Sequence, residues 1–167
     1  MHVANDGDQP LQLFAVVDGA GADSCGAFDL DITPGTFSCS AADLGTFTGT
    51  PITRTGENNC GGTDLYNPGL GGCTGNHATG SENLYQLTLP AAATATVSMT
   101  SGGFDASLYV VSRCGDYGAA TCTQGTDGSG TESLTLENKT TGSQTYYIVA
   151  DSFNVFGGCG TFDLTVQ

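Results

Sequence analysis

Two stretches of the chain nearly coincide, and that repetition limits what it can fold into. "LQLFAVVD" at 11–18 aligns with "QTYYIVAD" at 144–151. After a loop slightly longer in the second copy, "CGAFDLDI" at 25–32 aligns with "CGTFDLTV" at 159–166. Each copy reads as a β-hairpin: a strand, a Gly/Asp/Asn loop, a cysteine and a second strand. A repeat that recurs only after most of the chain has passed points to duplication of a whole domain, not to a solenoid of small units. An isolated hairpin is marginal in water, so the apolar face of the first copy needs a sheet to join.

Further strand candidates lie between the copies: "GTFTGT" (45–50), "NLYQLTL" (83–89), "ATATVSM" (93–99), "FDASLYVVS" (104–112) and "ESLTLEN" (132–138). Pro90 and the Gly102-Gly103 pair punctuate the series. With the closing hairpin this gives seven or eight strands from residue 40 onward, the usual complement of a two-sheet antiparallel sandwich or jelly roll. Glycine at 26 of 167 residues and short apolar runs agree, and no window sustains a helical period. The expected fold is an all-β, jelly-roll-like antiparallel sandwich over 38–167, preceded by an N-terminal segment, 1–37, that carries the surplus hairpin.

The formal charge is −14, from 17 acids against Lys139, Arg54 and Arg113. A phosphate backbone would be repelled, which sets nucleic acid aside as a partner, and anionic membranes are disfavoured likewise. Thirteen of the acids are Asp, the short carboxylate common in calcium loops, although net charge also serves solubility. "MHVANDGDQP" is polar and no stretch reads as a signal peptide or membrane span, so any export signal is expected to lie upstream or to have been removed.

The stretches "FDASLYVVSRC", "TESLTLENKTTGSQTYYIVAD" and "GGCGTFDLTV" resemble the bacterial pre-peptidase C-terminal domain. Asp105, Leu108, Tyr109 and Val110 match its D-x-x-L-Y-V strand. Tyr146 to Asp151 match Y-Y-I-V-x-D, and Gly160 to Val166 match G-x-F-x-L-x-V. The resemblance covers roughly 38–167 plus the partial copy at 11–33, with most of its specificity in these closing stretches. It implies a jelly-roll sandwich found beside secreted peptidases and in large repetitive extracellular proteins. It also implies an accessory module without a catalytic site, some of whose relatives bind collagen, polysaccharide or calcium.

Seven cysteines without a C-x-x-C pair suit disulfides in an oxidising compartment better than zinc or redox chemistry. Proximity pairs Cys60 with Cys73 and Cys114 with Cys122, each closing a loop for about 2–3 kcal/mol. Cys25 then pairs with Cys39, and Cys159, the equivalent of Cys25, is left over. Its partner lies in sequence beyond Gln167, or in another subunit, or it is a buried free thiol.

No catalytic constellation emerges. His77 is the one candidate base and has neither a nucleophile elbow nor a zincin helix near it. For calcium, "NDGD" (5–8) offers Asn5, Asp6 and Asp8; "DGAGAD" (18–23) offers Asp18 and Asp23; "TGENNCGGTD" (55–64) offers Glu57 and Asp64. The same residues also simply make turns, so calcium is an option and no cofactor is required. Tyr66 and Tyr117, in loops flanked by cysteines, are the surface aromatic candidates, while the absence of Trp weakens a sugar platform. "NKT" (138–140) matches a glycosylation sequon.

These features together suggest a non-catalytic structural or adhesive repeat unit, secreted to the cell surface. Its partners would be further copies or adjacent repeats, joined head-to-tail into a filament through the N-terminal hairpin and Cys159. The alternative is an accessory module of a secreted hydrolase that binds matrix or polysaccharide.

Overall fold

Alternation decides which residues face inward. In β3 (Asn83–Leu89) Tyr85, Leu87 and Leu89 are buried, and in β4 (Thr94–Ser101) Ala95, Val97 and Met99 are. β7 (Thr131–Glu137) and β9 (Thr161–Val166) repeat this period of two with Leu134, Leu136, Phe162, Leu164 and Val166. These side chains form one core with Leu108, Val110, Ile148 and Ala150. The computed structural model describes residues 16–17, 26–30, 40–115, 121–153 and 158–167.

Among the described residues, nine strands make up two facing sheets. The remaining five are β1 (Ala42–Thr46), β2 (Ile52–Asn58), β5 (Ala106–Val111), β6 (Cys122–Thr126) and β8 (Gln144–Ser152). One sheet runs β1-β3-β8-β5-β6 and the other β2-β9-β4-β7. The pairs β2·β9, β3·β8, β4·β7 and β5·β6 are all antiparallel and nest one inside the next. That nesting is a long folded ribbon rolled into a sandwich, the jelly roll expected from the sequence. The β4·β9 and β5·β8 pairs join the two halves of each sheet, and β1 adds a parallel edge strand on β3.

β2 and β6, absent from the strand candidates of the sequence, are edge strands. β2 is exposed along most of its length and bulged between Arg54 and Glu57, where Gly56 takes a positive φ of 66°. A bulged edge need not alternate, so it leaves no period to read.

β5 is buried at every position because its sheet is covered on both faces. Leu108 and Val110 face the sandwich core. Tyr109 and Val111, with Val149 of β8, face outward and are covered by Tyr66 and Ala78 from the long 59–82 connection. That connection lays Tyr66, Pro68 and Ala78 against the sheet as a partial third layer, while 60–65 stays exposed.

Candidate functional site

The two copies of the repeated motif stand in opposite environments. In the second copy Val149, Phe162 and Leu164 are 0%, 2% and 1% exposed. Their equivalents in the first copy, Val16, Phe28 and Leu30, are 86%, 63% and 56% exposed. Gly160 lies so close to Phe104 that a Cβ there would meet its ring at 2.9 Å, whereas a Cβ on the matching Gly26 would meet nothing within 4 Å. The same residue types that fill a core in one place are uncovered in the other.

The second copy is also not a hairpin, which corrects the sequence reading. β8 lies between β3 and β5 in one sheet, and β9 lies between β2 and β4 in the other. The two strands lie in different sheets, so this motif supplies one central strand to each layer. Most of the first copy, 11–32, lies outside the described residues, and no strand is assigned to 16–17 or 26–30.

The disulfides follow this topology and not proximity in sequence. Cys159 bonds Cys60 within the chain, with Cα atoms 4.9 Å apart, and Cys73 bonds Cys122 at 5.6 Å. The expected Cys60–Cys73 and Cys114–Cys122 pairs are therefore overturned, as is a Cys159 bonded beyond Gln167, bonded to another subunit or left free. The reason is register. Asn58 pairs with Thr161 across β2 and β9, and Asn59 exchanges hydrogen bonds with Gly160, so Cys60 and Cys159 are set side by side. Cys73 pins the 59–82 layer to edge strand β6. Closing spans of 99 and 49 residues stabilises by about 4–5 kcal/mol each on chain-entropy grounds, more than the short staples would. Cys114 is disulfide-bonded too; Cys25 and Cys39 lie outside the described residues.

The remaining candidates fare unevenly. Tyr66 is buried, not a surface aromatic: its hydroxyl accepts from the Gly115 amide at 2.8 Å and its carbonyl from the Tyr109 hydroxyl at 3.2 Å. Tyr117 lies outside the described residues, as do Asn5, Asp6, Asp8, Asp18 and Asp23. Glu57 sits on a strand rather than in a calcium loop and accepts from the Tyr85 hydroxyl at 2.9 Å, while Asp64 is exposed. Among the described residues no three His, Cys, Asp or Glu side chains converge to hold a metal ion. His77 is half-buried beside Asn67, at 3.4 Å. The sequon asparagine, Asn138, is fully buried; its amide donates to the carbonyls of Leu89, Pro90 and Gly142, and its oxygen accepts from Thr140. A glycan would have to replace those bonds, so Asn138 is a structural clasp.

Sequence reasoning missed a group of buried acids. Tyr109 donates to Asp151 Oδ2 at 2.5 Å, and the Ser152 amide donates to Oδ1 at 2.6 Å. Burial pushes Asp151 up to about 8 despite both bonds, and desolvation lifts Glu82 to about 7. The Tyr109 hydroxyl is driven far upward by burial and by the neighbouring Asp151. Glu82 accepts from Thr63 Oγ1 at 2.8 Å and from the Leu65 amide at 2.9 Å, both through Oε1. Its Oε2 is enclosed, and the Tyr66 backbone also bonds the carboxylate and holds its proton affinity down. The one sequence clue was Asp151 ending an apolar strand, where a turn residue was the simpler reading.

No protein-family model matches the chain, and no match is found among curated proteins. Among solved structures it is similar to the pre-peptidase C-terminal domain of a collagenase from Bacillus anthracis, at 15% identity and a TM-score of 0.43, over 80% of this chain and 100% of that one. It is similar to CorA, a surface-associated copper-binding protein of Methylomicrobium album BG8, at 13% identity and a TM-score of 0.41, over 76% of this chain and 98% of that one. A third is PliG of Aeromonas hydrophila, a periplasmic inhibitor of g-type lysozyme, at 15% identity and a TM-score of 0.39, over 77% and 98%.

Proposed function

We propose that the chain is a non-catalytic structural unit of an extracellular repeat protein, and that residues 11–32 close the sandwich of a preceding copy. The exposure of Val16, Phe28 and Leu30, set against the burial of Val149, Phe162 and Leu164, carries this reading. Leaving three such side chains in water forgoes about 1.5–3 kcal/mol apiece. Because β8 and β9 occupy central places in opposite sheets, the first copy fits the inside of a sandwich better than its edge. The strand-addition picture therefore becomes strand insertion.

Disulfides within the sandwich support an oxidising compartment. In the repeat's register Cys25 stands where Cys159 stands, and Cys159 bonds Cys60. The corresponding partner of Cys25 is then the Cys60 position of the preceding copy. Units joined this way run head-to-tail without closing, which makes a linear array along one polypeptide or a filament between chains.

A chimera tests whether the first copy can close a sandwich. Residues 40–143 joined directly to 11–32, in place of β8 and β9, should unfold cooperatively and form a Cys25–Cys60 bond. A chimera that binds a hydrophobic dye and melts without a transition would overturn the reading.

A further inference from the structure

Cys114 is disulfide-bonded. The Cys60–Cys159 and Cys73–Cys122 bonds take four of the other six cysteines, so within the chain its partner is Cys25 or Cys39. Both lie outside the described residues, but each has a described neighbour, and the two neighbours stand in opposite surroundings.

Ser40, the residue after Cys39, lines a cleft of about 540 Å³ between β1, β2 and β3, and Cys114 and Gly115 line the same cleft. Gly115 is fixed at that wall, because its amide donates to the Tyr66 hydroxyl at 2.8 Å. Ser40 is fixed too, since it leads into β1, whose first residue, Ala42, is in register with Tyr85 of β3. Gly26, the residue after Cys25, is in open space: a Cβ there would meet nothing within 4 Å. Phe28 and Leu30 beyond it are 63% and 56% exposed.

We infer that Cys114 bonds Cys39, a strap that ties the entry to β1 onto the β5–β6 connection, and that Cys25 is left to bond outside its own sandwich. Consecutive Cα atoms are about 3.8 Å apart and those of bonded cysteines about 4.4–6.8 Å, so a residue next to Ser40 is the one within reach. β1 has need of an anchor. It is five residues long, pairs with β3 alone, and its register breaks between Asp43 and Thr46. Closing the bond removes two protons and two electrons from the thiols, and a disulfide oxidant of the compartment takes them up as two thiols. Three internal bonds use six of the seven cysteines. The seventh, Cys25, matches Cys159 in the repeat, so its partner thiol is the Cys60 position of a preceding copy; this last step rests on the array proposed above.

The test is a disulfide map of the whole protein. Free thiols are blocked with iodoacetamide before any reductant is added, and the chain is cut with pepsin at low pH, where protonated thiols do not exchange. A peptide pair joined through Cys39 and Cys114 is expected, with Cys25 carrying the label or joined to a second chain. Cys25→Ser should keep that pair and take up no label. Cys39→Ser should speed amide exchange in β1 at least about tenfold and leave β3 protected. A Cys25–Cys114 or Cys25–Cys39 link, label on Cys39 or Cys114, or unchanged exchange in β1 would overturn the assignment. The chimera of 40–143 with 11–32 lacks Cys39, so its failure would count against the repeat reading and leave this pairing standing.

Discussion

At the level of single residues, the sandwich depends on polar groups that are buried and paired. Asn138 ties the end of β7 to the end of β3 through the carbonyls of Leu89 and Pro90, and to its own connection through that of Gly142, so Asn138→Ala should cost about 3 kcal/mol in urea unfolding. A loss below about 1 kcal/mol would mean that water replaces the clasp. Gly125 is constrained by space: a Cβ there would meet Cys73 Sγ at 2.9 Å and Tyr109 Cβ at 2.8 Å. Gly125→Ala should destabilise by about 1–3 kcal/mol, mainly by lifting the 59–82 layer off β6. Glu82 and Asp151 set a pH dependence opposite to that of a salt-bridged carboxylate. Their folded-state proton affinities, about 7 and about 8, lie above the ordinary range, so the native state holds protons that the unfolded chain releases. Their contribution is full below about pH 4 and is lost as pH rises through 7 and 8. Stability should fall by a few kcal/mol between pH 5 and pH 8.5, and the fall should flatten in a Glu82→Gln, Asp151→Asn double variant. A rise over that interval would contradict the assignment.

Among the elements, what the sequence revealed depended on whether a strand is covered on one face or two, and where it sits in its sheet. β3 was legible to its last residue because Tyr85, Leu87 and Leu89 alternate with half-buried neighbours. β7 and β9 were legible for the same reason. β2 and β6 were not, because edge strands with bulges carry no enforced period. The 59–82 layer read as a cysteine-flanked loop, since Gly, Asn and Pro mark turns whether or not a Tyr among them is buried. Cysteine pairing was illegible locally because it depends on which strands are neighbours, and β2 meets β9 from the far end of the chain. The 59–82 layer yields its own prediction. Replacing both Cys73 and Cys122 with Ser should leave the sandwich folded and uncover Tyr109 and Val111, read as gained dye binding with β-sheet circular dichroism retained. Simultaneous loss of the sheet signal would show that the layer and the sandwich fold as one unit.

Across the whole molecule, our proposal takes the chain as one sandwich plus the closing segment of another, and the nested pairing gives a reason for such a piece to recur. In a jelly roll the last two strands sit beside the first ones, β9 beside β2 and β8 beside β3, so the end of a repeat cannot be separated from its beginning without opening both sheets. The cysteine at the repeat's end has the same logic, since Cys159 locks the end of the roll to Cys60 near its start. By our proposal, residues 11–32 occupy such a place in a preceding copy. Hydrogen exchange on a tandem polypeptide, in which residues 40–143 precede the full chain, reads that placement amide by amide. The amides of Phe28 and Leu30 should become as protected as those of Phe162 and Leu164, with Cys25 bonded to the upstream Cys60. Fast exchange at Phe28 and Leu30, with the upstream segment unfolded, would contradict it.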